Sequence, residues 1–244
     1  MKCLILAAGY ATRLYPLTEN FPKPLLKVGE KAILDWLIDD LSGSGKVDGY
    51  IVVTNHRFAS LFREWAAGRL ESITVLDDGT ESNETRLGAV RDIQFAIDEC
   101  GLDDDLLVMA GDNLLSFSLC DFLDYFAQKG TSCVMRYFEP DEARLHRCGV
   151  LEVGADGRIF SMEEKPAEPR SHWCCPPFYA YKRKDAARVA EALADGCGAD
   201  APGSLVAWLC QHVIMHAWEM PGPRYDIGTL ESYQAVQEIF ENND

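Results

Sequence analysis

The sequence predicts an α/β fold: a mostly parallel sheet flanked by helices, with a smaller antiparallel lobe. Three observations carry this. In the first half, short apolar runs alternate with stretches whose apolar residues recur at three- and four-residue spacing. After residue 130 the apolar runs follow one another with no such stretches between them. With 244 residues, 48% hydrophobic and 25% charged, the chain also has the length and balance to bury a substantial core.

The elements follow in order. The runs "KCLILA" (2–7), "YIVVT" (50–54), "SITVL" (72–76) and "LLVMA" (106–110) have the composition of buried strands. Between them "AILDWLIDDLSGSG", "RFASLFREWAAGR" and "LGAVRDIQFAIDEC" carry helical periodicity. This alternation implies right-handed crossovers, which gather the loops after successive strands along one edge of a sheet. Next come the strands "SCVMRYF", "CGVLEV", "RIFSMEE" and "FYAYK", with "GADGR" (154–158) as a hairpin turn. Helical patterns return at 183–195, 203–213 and 229–241. No Pro/Gly/Ser-rich linker, low-complexity tract or repeat interrupts the chain. One domain over 1–244 is therefore expected, with a lobe over about 1–130 and another over about 131–244.

Charge and cysteine usage exclude several classes. A net charge of −16 argues against nucleic acid as a partner, since a sequence-independent grip on its phosphates needs many Lys and Arg contacts. The nine cysteines contain no C-x-x-C pair, which favours a reducing compartment over a disulfide framework or zinc knuckle. "MKCLILAAG" mimics a leader, but its apolar run is short and Arg13 soon follows, and no stretch approaches a membrane span. A soluble, cytoplasmic protein without membrane attachment is expected. His212 and His216 in "HVIMH" stand at helical spacing but lack the glutamate of a zinc helix. Trp36, Trp65, Trp208 and Trp218 fall within apolar stripes and are expected in the core.

Chemistry concentrates at the strand ends. In "LAAGYATRLYPLTENFPKPLL" (6–26) the small residues Ala7, Ala8, Gly9 and Ala11 let a ligand approach the main chain, as phosphate-binding loops do. Arg13 and Lys23 add positive charge, and Pro22 and Pro24 restrain the backbone around the lysine. Residues 1–31 hold five Lys or Arg against two Glu, a local excess of +3. That contrast favours an anion site over a plain turn carrying a surface lysine. Neither G-x-G-x-x-G nor G-x-x-x-x-G-K-[ST] is present, so a different polyphosphate loop is required. Asp112 closes the strand "LLVMAGDN", Lys165 lies in "MEEKP", and Asp226 precedes Gly228 and a helix start with Thr229 as its cap. Two carboxylates from distant segments suit Mg²⁺, which takes one or two of them together with substrate phosphates.

Taken together, "LAAGYATRLYPLT", "PKPLL", "GDN", "EKP" and "DIGT" resemble the ordered signatures of the sugar-1-phosphate nucleotidyltransferases. The stretch "CGVLEVGADGRIFSMEEKPAEPRS" (148–171) looks most like the glucose-1-phosphate thymidylyltransferase branch. The resemblance implies the Rossmann-like fold of nucleotide-diphospho-sugar transferases and transfer of a nucleotide from an NTP, dTTP or UTP being favoured, to a sugar-1-phosphate. By position it implies Arg13 and Lys23 as catalytic cations, Asp112 and Asp226 as Mg²⁺ ligands, and Ala7, Ala8, Gly9 and Thr12 as nucleotide contacts. Asn83 and Gly88 would read the base. Gly149, Glu152, Glu164 and Lys165 would hold the sugar phosphate, Lys165 its phosphate group. The chain departs from the pattern at Ala8 and Ala11, which replace glycines, at Asn83, which replaces a longer glutamine, and at Pro177, which replaces a glycine. Two other functions fit the same residues less well. One is a CTP-dependent cytidylyltransferase for a small phosphoalcohol or phosphonate; the other is a catalytically silent, nucleotide-sugar-binding regulatory subunit. Association into a homo-oligomer stays open.

Overall fold

The computed structural model describes residues 1–241. Strand β1 (Lys2–Leu6) opens the chain, followed by one-turn 3-10 segments at Thr12–Leu14 and Lys23–Leu25. Strands β2 (Lys27–Val28) and β3 (Lys31–Ala32) lead into helix α1 (Ile33–Leu41). Then come β4 (Tyr50–Thr54), α2 (Ala59–Ala67), β5 (Ile73–Asp77), α3 (Ala89–Cys100), β6 (Leu106–Ala110) and β7 (Asn113–Leu115). Helix α4 (Leu119–Lys129) precedes β8 (Ser132–Phe138), α5 (Glu142–Leu145), β9 (Gly149–Val153), β10 (Ile159–Glu164), β11 (Trp173–Cys175) and β12 (Phe178–Tyr181). The chain finishes with α6 (Arg183–Ala186), α7 (Val189–Ala194), α8 (Gly203–His212), β13 (Met215–Glu219), β14 (Arg224–Asp226) and α9 (Leu230–Glu241). This is an α/β fold built on a mixed sheet with flanking helices.

The chain forms two compact units of interleaved segments. One comprises Met1–Leu4, Leu87–Met109 and Asp121–Met220; the other comprises Ile5–Arg86, Ala110–Cys120 and the chain from Pro221 on. In the first unit the strand order is β10-β9-β11-β8-β12-β6, each pair of neighbours antiparallel, with β13 added parallel to β8. The β9–β10 hairpin turns at the expected place, closed by the Gly154 N–H donating to Arg158 O at 2.8 Å.

In the second unit β4 and β5 lie side by side in parallel register. All five β4 residues are buried, which is why "YIVVT" shows no alternation. The run "SITVL" departs from its expectation: β5 ends the strand order and is only half-buried, with Thr74 exposed. Helix α1 buries Ile33, Leu34, Leu37, Ile38 and Leu41, one continuous stripe. Beneath it Leu14, Val28, Ile33, Leu114, Ile227 and Val236 form a core of their own.

Helix α4 had no sequence-based expectation, although Leu119, Phe122, Leu123 and Phe126 form its buried face. The pattern at 183–195 is broken into α6 and α7, with Arg188 between them stacking over Trp208 at 4.8 Å. The four tryptophans are half-buried rather than interior. The indole N–H of Trp36 donates to Val28 O (3.2 Å) and that of Trp65 to Asp35 (2.9 Å), so each keeps a polar edge satisfied.

Candidate active site

The second unit assembles a polar cleft after β1. The loop 7–11 is fixed from several sides: the Ala7 N–H donates to Val53 O, Asn55 Nδ2 to Ala8 O, and Thr18 Oγ1 to Ala11 O. Tyr10 is buried and its hydroxyl donates to Thr80 O at 3.1 Å. A side chain on Gly9 would meet open space, so the absent Cβ leaves room in the cleft rather than relieving a clash. Ala11 occupies the left-handed region at φ 45° and ψ 41°.

The two basic residues stand differently. Lys23 begins a 3-10 turn after extended Pro22 and is buried at 7% exposure. An ammonium at that depth needs a partner, and its Nζ meets Asp112 Oδ2 at 2.8 Å. Gly111 makes this pairing reachable, because a Cβ there would lie 3.1 Å from Ile5 and 3.3 Å from Pro24. Arg13 is exposed and makes no ion pair among the described residues. A cavity of about 240 Å³ is lined by Ala7, Gly9, Ala11, Arg13, Lys23 and Asp112, among others. Thr12 is exposed on the turn beside it.

The second carboxylate arrives by strand pairing. β14 runs antiparallel to β7, setting Asp226 opposite Asn113, the residue after Asp112. Asp226 is 56% exposed, and a Cβ on Gly228 would lie 4.0 Å from its Oδ1 and 3.9 Å from an Arg13 Nη. Four sequence-distant residues, Arg13, Lys23, Asp112 and Asp226, thus belong to one compact unit around its loop ends. Thr229 caps α9 as expected: its Oγ1 accepts the Ser232 N–H, and Ser232 Oγ accepts the Gly228 and Thr229 N–H groups.

The sequence reading did not single out Asn113 or Arg224. Asn113 Nδ2 donates to Asp112 Oδ1 at 2.7 Å, while Arg224 Nη1 donates to Asn113 Oδ1 and lies 3.8 Å from Asp226 Oδ2. Their signal was a basic residue two before Asp226, which a strand places on the same face.

Asn83 and Gly88 have local partners. Asn83 is exposed on its loop and its Oδ1 accepts from Arg86 Nη1 at 2.9 Å. Gly88, in the first unit, has φ 94°, and a Cβ there would come 2.6 Å from Ala199 O. The same segment caps α3, with Ala199 O accepting the Val90 N–H at 2.9 Å. Packing alone therefore requires glycine at 88.

The remaining candidates lie in the first unit and do not all converge. Gly149 pairs with Glu164, and the Glu164 carboxylate sits 3.2 Å from where a Gly149 Cβ would be. It also accepts the Gly203 N–H at the start of α8, and a Cβ at Gly203 would collide with it. Burial pushes the Glu164 pKa up, with Lys165 and that N–H opposing. Glu152 is three residues beyond Gly149 on β9 and faces the other way, accepting from Ser161 Oγ near Arg170. Lys165 is exposed and left-handed at φ 50°, its N–H donating to Cys148 O at 2.9 Å. His146 Nδ1 is 2.9 Å from Pro166 O and steadies the same turn.

The histidine pair of "HVIMH" is not on one helical face, because α8 ends at His212 and His216 lies on β13. Val213 between them is extended, which carries the chain out of the helix. No cluster of three or more His, Cys, Asp or Glu side chains arranged for a metal occurs among the described residues. No helix among them is long and apolar enough to cross a membrane.

A family model described as Nucleotidyl transferase matches residues 2–243. The chain is 24% identical over 246 residues to a glucose-1-phosphate adenylyltransferase of Fervidobacterium nodosum, covering 94% of this chain and 59% of that protein. It is 28% identical over 194 residues to a glucose-1-phosphate thymidylyltransferase of Mycobacterium tuberculosis, covering 79% of this chain and 65% of the other. It thus spans about six-tenths of the length of these curated relatives. A crystal structure of UDP-glucose pyrophosphorylase complexed with UDP-glucose superposes with a TM-score of 0.81 at 18% identity, over 100% of this chain and 99% of that one. At that identity the superposition shows the fold.

Proposed function

Because the chain belongs to the nucleotidyl transferase family, we propose that it transfers a nucleoside monophosphate from an NTP to a sugar-1-phosphate and releases pyrophosphate. The observation that carries this reading is the cleft lined by Arg13, Lys23 and Asp112, with Asp226 set beside it through the β7–β14 pairing. dTTP or UTP is the favoured donor and glucose-1-phosphate the first acceptor to try.

An oxygen of the sugar phosphate attacks the α-phosphorus in line, forming one P–O bond while the bond to the β-phosphate oxygen breaks. Pyrophosphate carries away the electron pair. No protein nucleophile and no proton transfer is needed, so rate comes from positioning and from charge placed where it develops. Arg13, exposed and with no ion pair among the described residues, is available to a phosphate chain over the 7–11 loop. Lys23 Nζ, 2.8 Å from Asp112 Oδ2, stands at the cleft as a second cation for the phosphate oxygens of the donor. Lys165, on its left-handed turn, is available to the phosphate of the acceptor.

The carboxylates fit Mg²⁺: one oxygen donor at the end of β14 and one on the residue just before its partner strand β7, both partly solvent-facing, leave the remaining positions to water and phosphates. Asp112 and Asp226 would hold it, and a bound ion there would supply charge compensation for the phosphates. The test is pyrophosphate release with Mg²⁺ from dTTP, UTP, CTP, GTP and ATP, each against glucose-1-phosphate and a panel of other phosphates. Release with one base and a sugar-1-phosphate supports the proposal. Release only with CTP and a phosphoalcohol, or nucleotide binding without release, overturns it.

A further inference from the structure

Asp112 is held at both oxygens, and the identity of the groups holding it fixes their orientation. An arginine can only donate and an ionised aspartate can only accept. Asn113, lying between Arg224 and Asp112, must therefore turn its carbonyl to Arg224 and its NH₂ to Asp112, as it does at 2.7 Å. The flip that an asparagine amide otherwise permits is closed off. Lys23 Nζ holds the second oxygen at 2.8 Å. Arg224 also stands 3.8 Å from Asp226 on its own strand, and its side chain is only 15% exposed.

We propose that Arg224 and Asn113 are positioning residues that aim the Asp112 carboxylate, and with it the Asp112–Asp226 pair, at a divalent cation. The inference rests on the reading of those carboxylates as the metal-holding pair. The role assigned to Arg224 is exerted through the asparagine amide, to which its Nη1 donates. Partners of this kind, one shell out from the ligands, orient them and commonly change metal affinity by about 10- to 100-fold. A fixed cation also repels a metal ion, so the two effects of Arg224 have opposite signs and can be separated.

The experiment titrates the full chain with Mn²⁺ in the presence of pyrophosphate, followed by electron paramagnetic resonance, for the wild type, Arg224→Lys, Arg224→Met and Asn113→Ala. Positioning predicts that all three variants weaken Mn²⁺ binding by about tenfold. The Mg²⁺ concentration for half-maximal turnover would rise in step, with the KM for sugar phosphate within twofold of wild type. Unchanged Mn²⁺ affinity overturns the proposal. So does tighter binding in Arg224→Met with no change in Arg224→Lys, the signature of charge repulsion alone. Should Arg224→Met fail to fold, Asn113→Ala tests the same link from its other end. A wild type that binds Mn²⁺ through this network but releases no pyrophosphate overturns the proposed function and leaves this inference standing.

Discussion

Ala11 is the residue whose chemistry and geometry disagree most plainly. At φ 45° its Cβ crowds the neighbouring carbonyl, at a cost of about 1–2 kcal/mol, while glycine would add back about 0.5–1 kcal/mol of chain entropy. Ala11→Gly should therefore stabilise the protein by about 0.5 kcal/mol, read as a higher urea midpoint at unchanged slope. Arg13 and Asp112 make the opposite kind of site, in which function and stability separate. Arg13→Ala and Asp112→Asn should each lower pyrophosphate release by about a hundredfold or more. Arg13 is exposed, so its variant should keep stability within about 0.5 kcal/mol of wild type. A wild-type rate in either variant would remove that residue from the site. These positions were legible because proline, glycine and isolated charge are local signals. Asn113 and Arg224 were not, since their meaning depends on which strand lies opposite.

At the scale of elements, ties between sequence-distant segments are what a linear reading loses. Arg69, just beyond α2, donates to Asp35 (2.9 Å) and Asp39 on α1 and to Glu71 (2.9 Å) before β5. Its side chain is 16% exposed, so solvent screens the cluster little. Arg69→Met removes the shared cation from three carboxylates, leaving Asp35 to Trp65, Asp39 to Lys31 and Glu71 to Ser42, and should cost about 1–2 kcal/mol, measured as a fall in unfolding free energy; a loss under about 0.5 kcal/mol would mean those remaining partners suffice. β4, α1 and the β9–β10 hairpin were readable from periodicity, because each buries a face that its own residues define. α4 has an equally regular apolar face but lies among the segments that end the parallel-sheet rhythm. β5 looked buried by composition, yet strand order, which periodicity does not encode, puts it at an edge.

At the scale of the whole molecule, the motif order pointed to the family, while the division into two interleaved units was not legible, since it depends on long-range contacts. The same contacts set how stability responds to pH. His216 is half-buried on β13, with Nδ1 2.8 Å from Thr131 Oγ1. Burial first, then the Lys129 charge, pushes its pKa below 6.5, Asp156 opposing. A histidine that resists protonation when folded binds its proton more readily when unfolded. Its contribution is therefore complete above about pH 6.5 and is lost as pH falls through that value toward the folded pKa. Glu164 tilts the other way. Burial raises its pKa above 4.5, so the folded state takes the proton first, and stability falls as pH climbs from about 4.5 through the raised value. Melting temperature should accordingly drop between pH 7 and 5.5 in the wild type. His216→Gln should flatten that drop, whereas Glu164→Gln should leave it in place and raise stability at pH 7 relative to pH 4. Thermal unfolding of the three proteins across pH 4 to 8 decides the matter: an unchanged drop between pH 7 and 5.5 in His216→Gln would remove His216 as its source, since carboxylates such as Asp77 and Glu71, both held below their usual pKa, lose their contribution only below about pH 4.5.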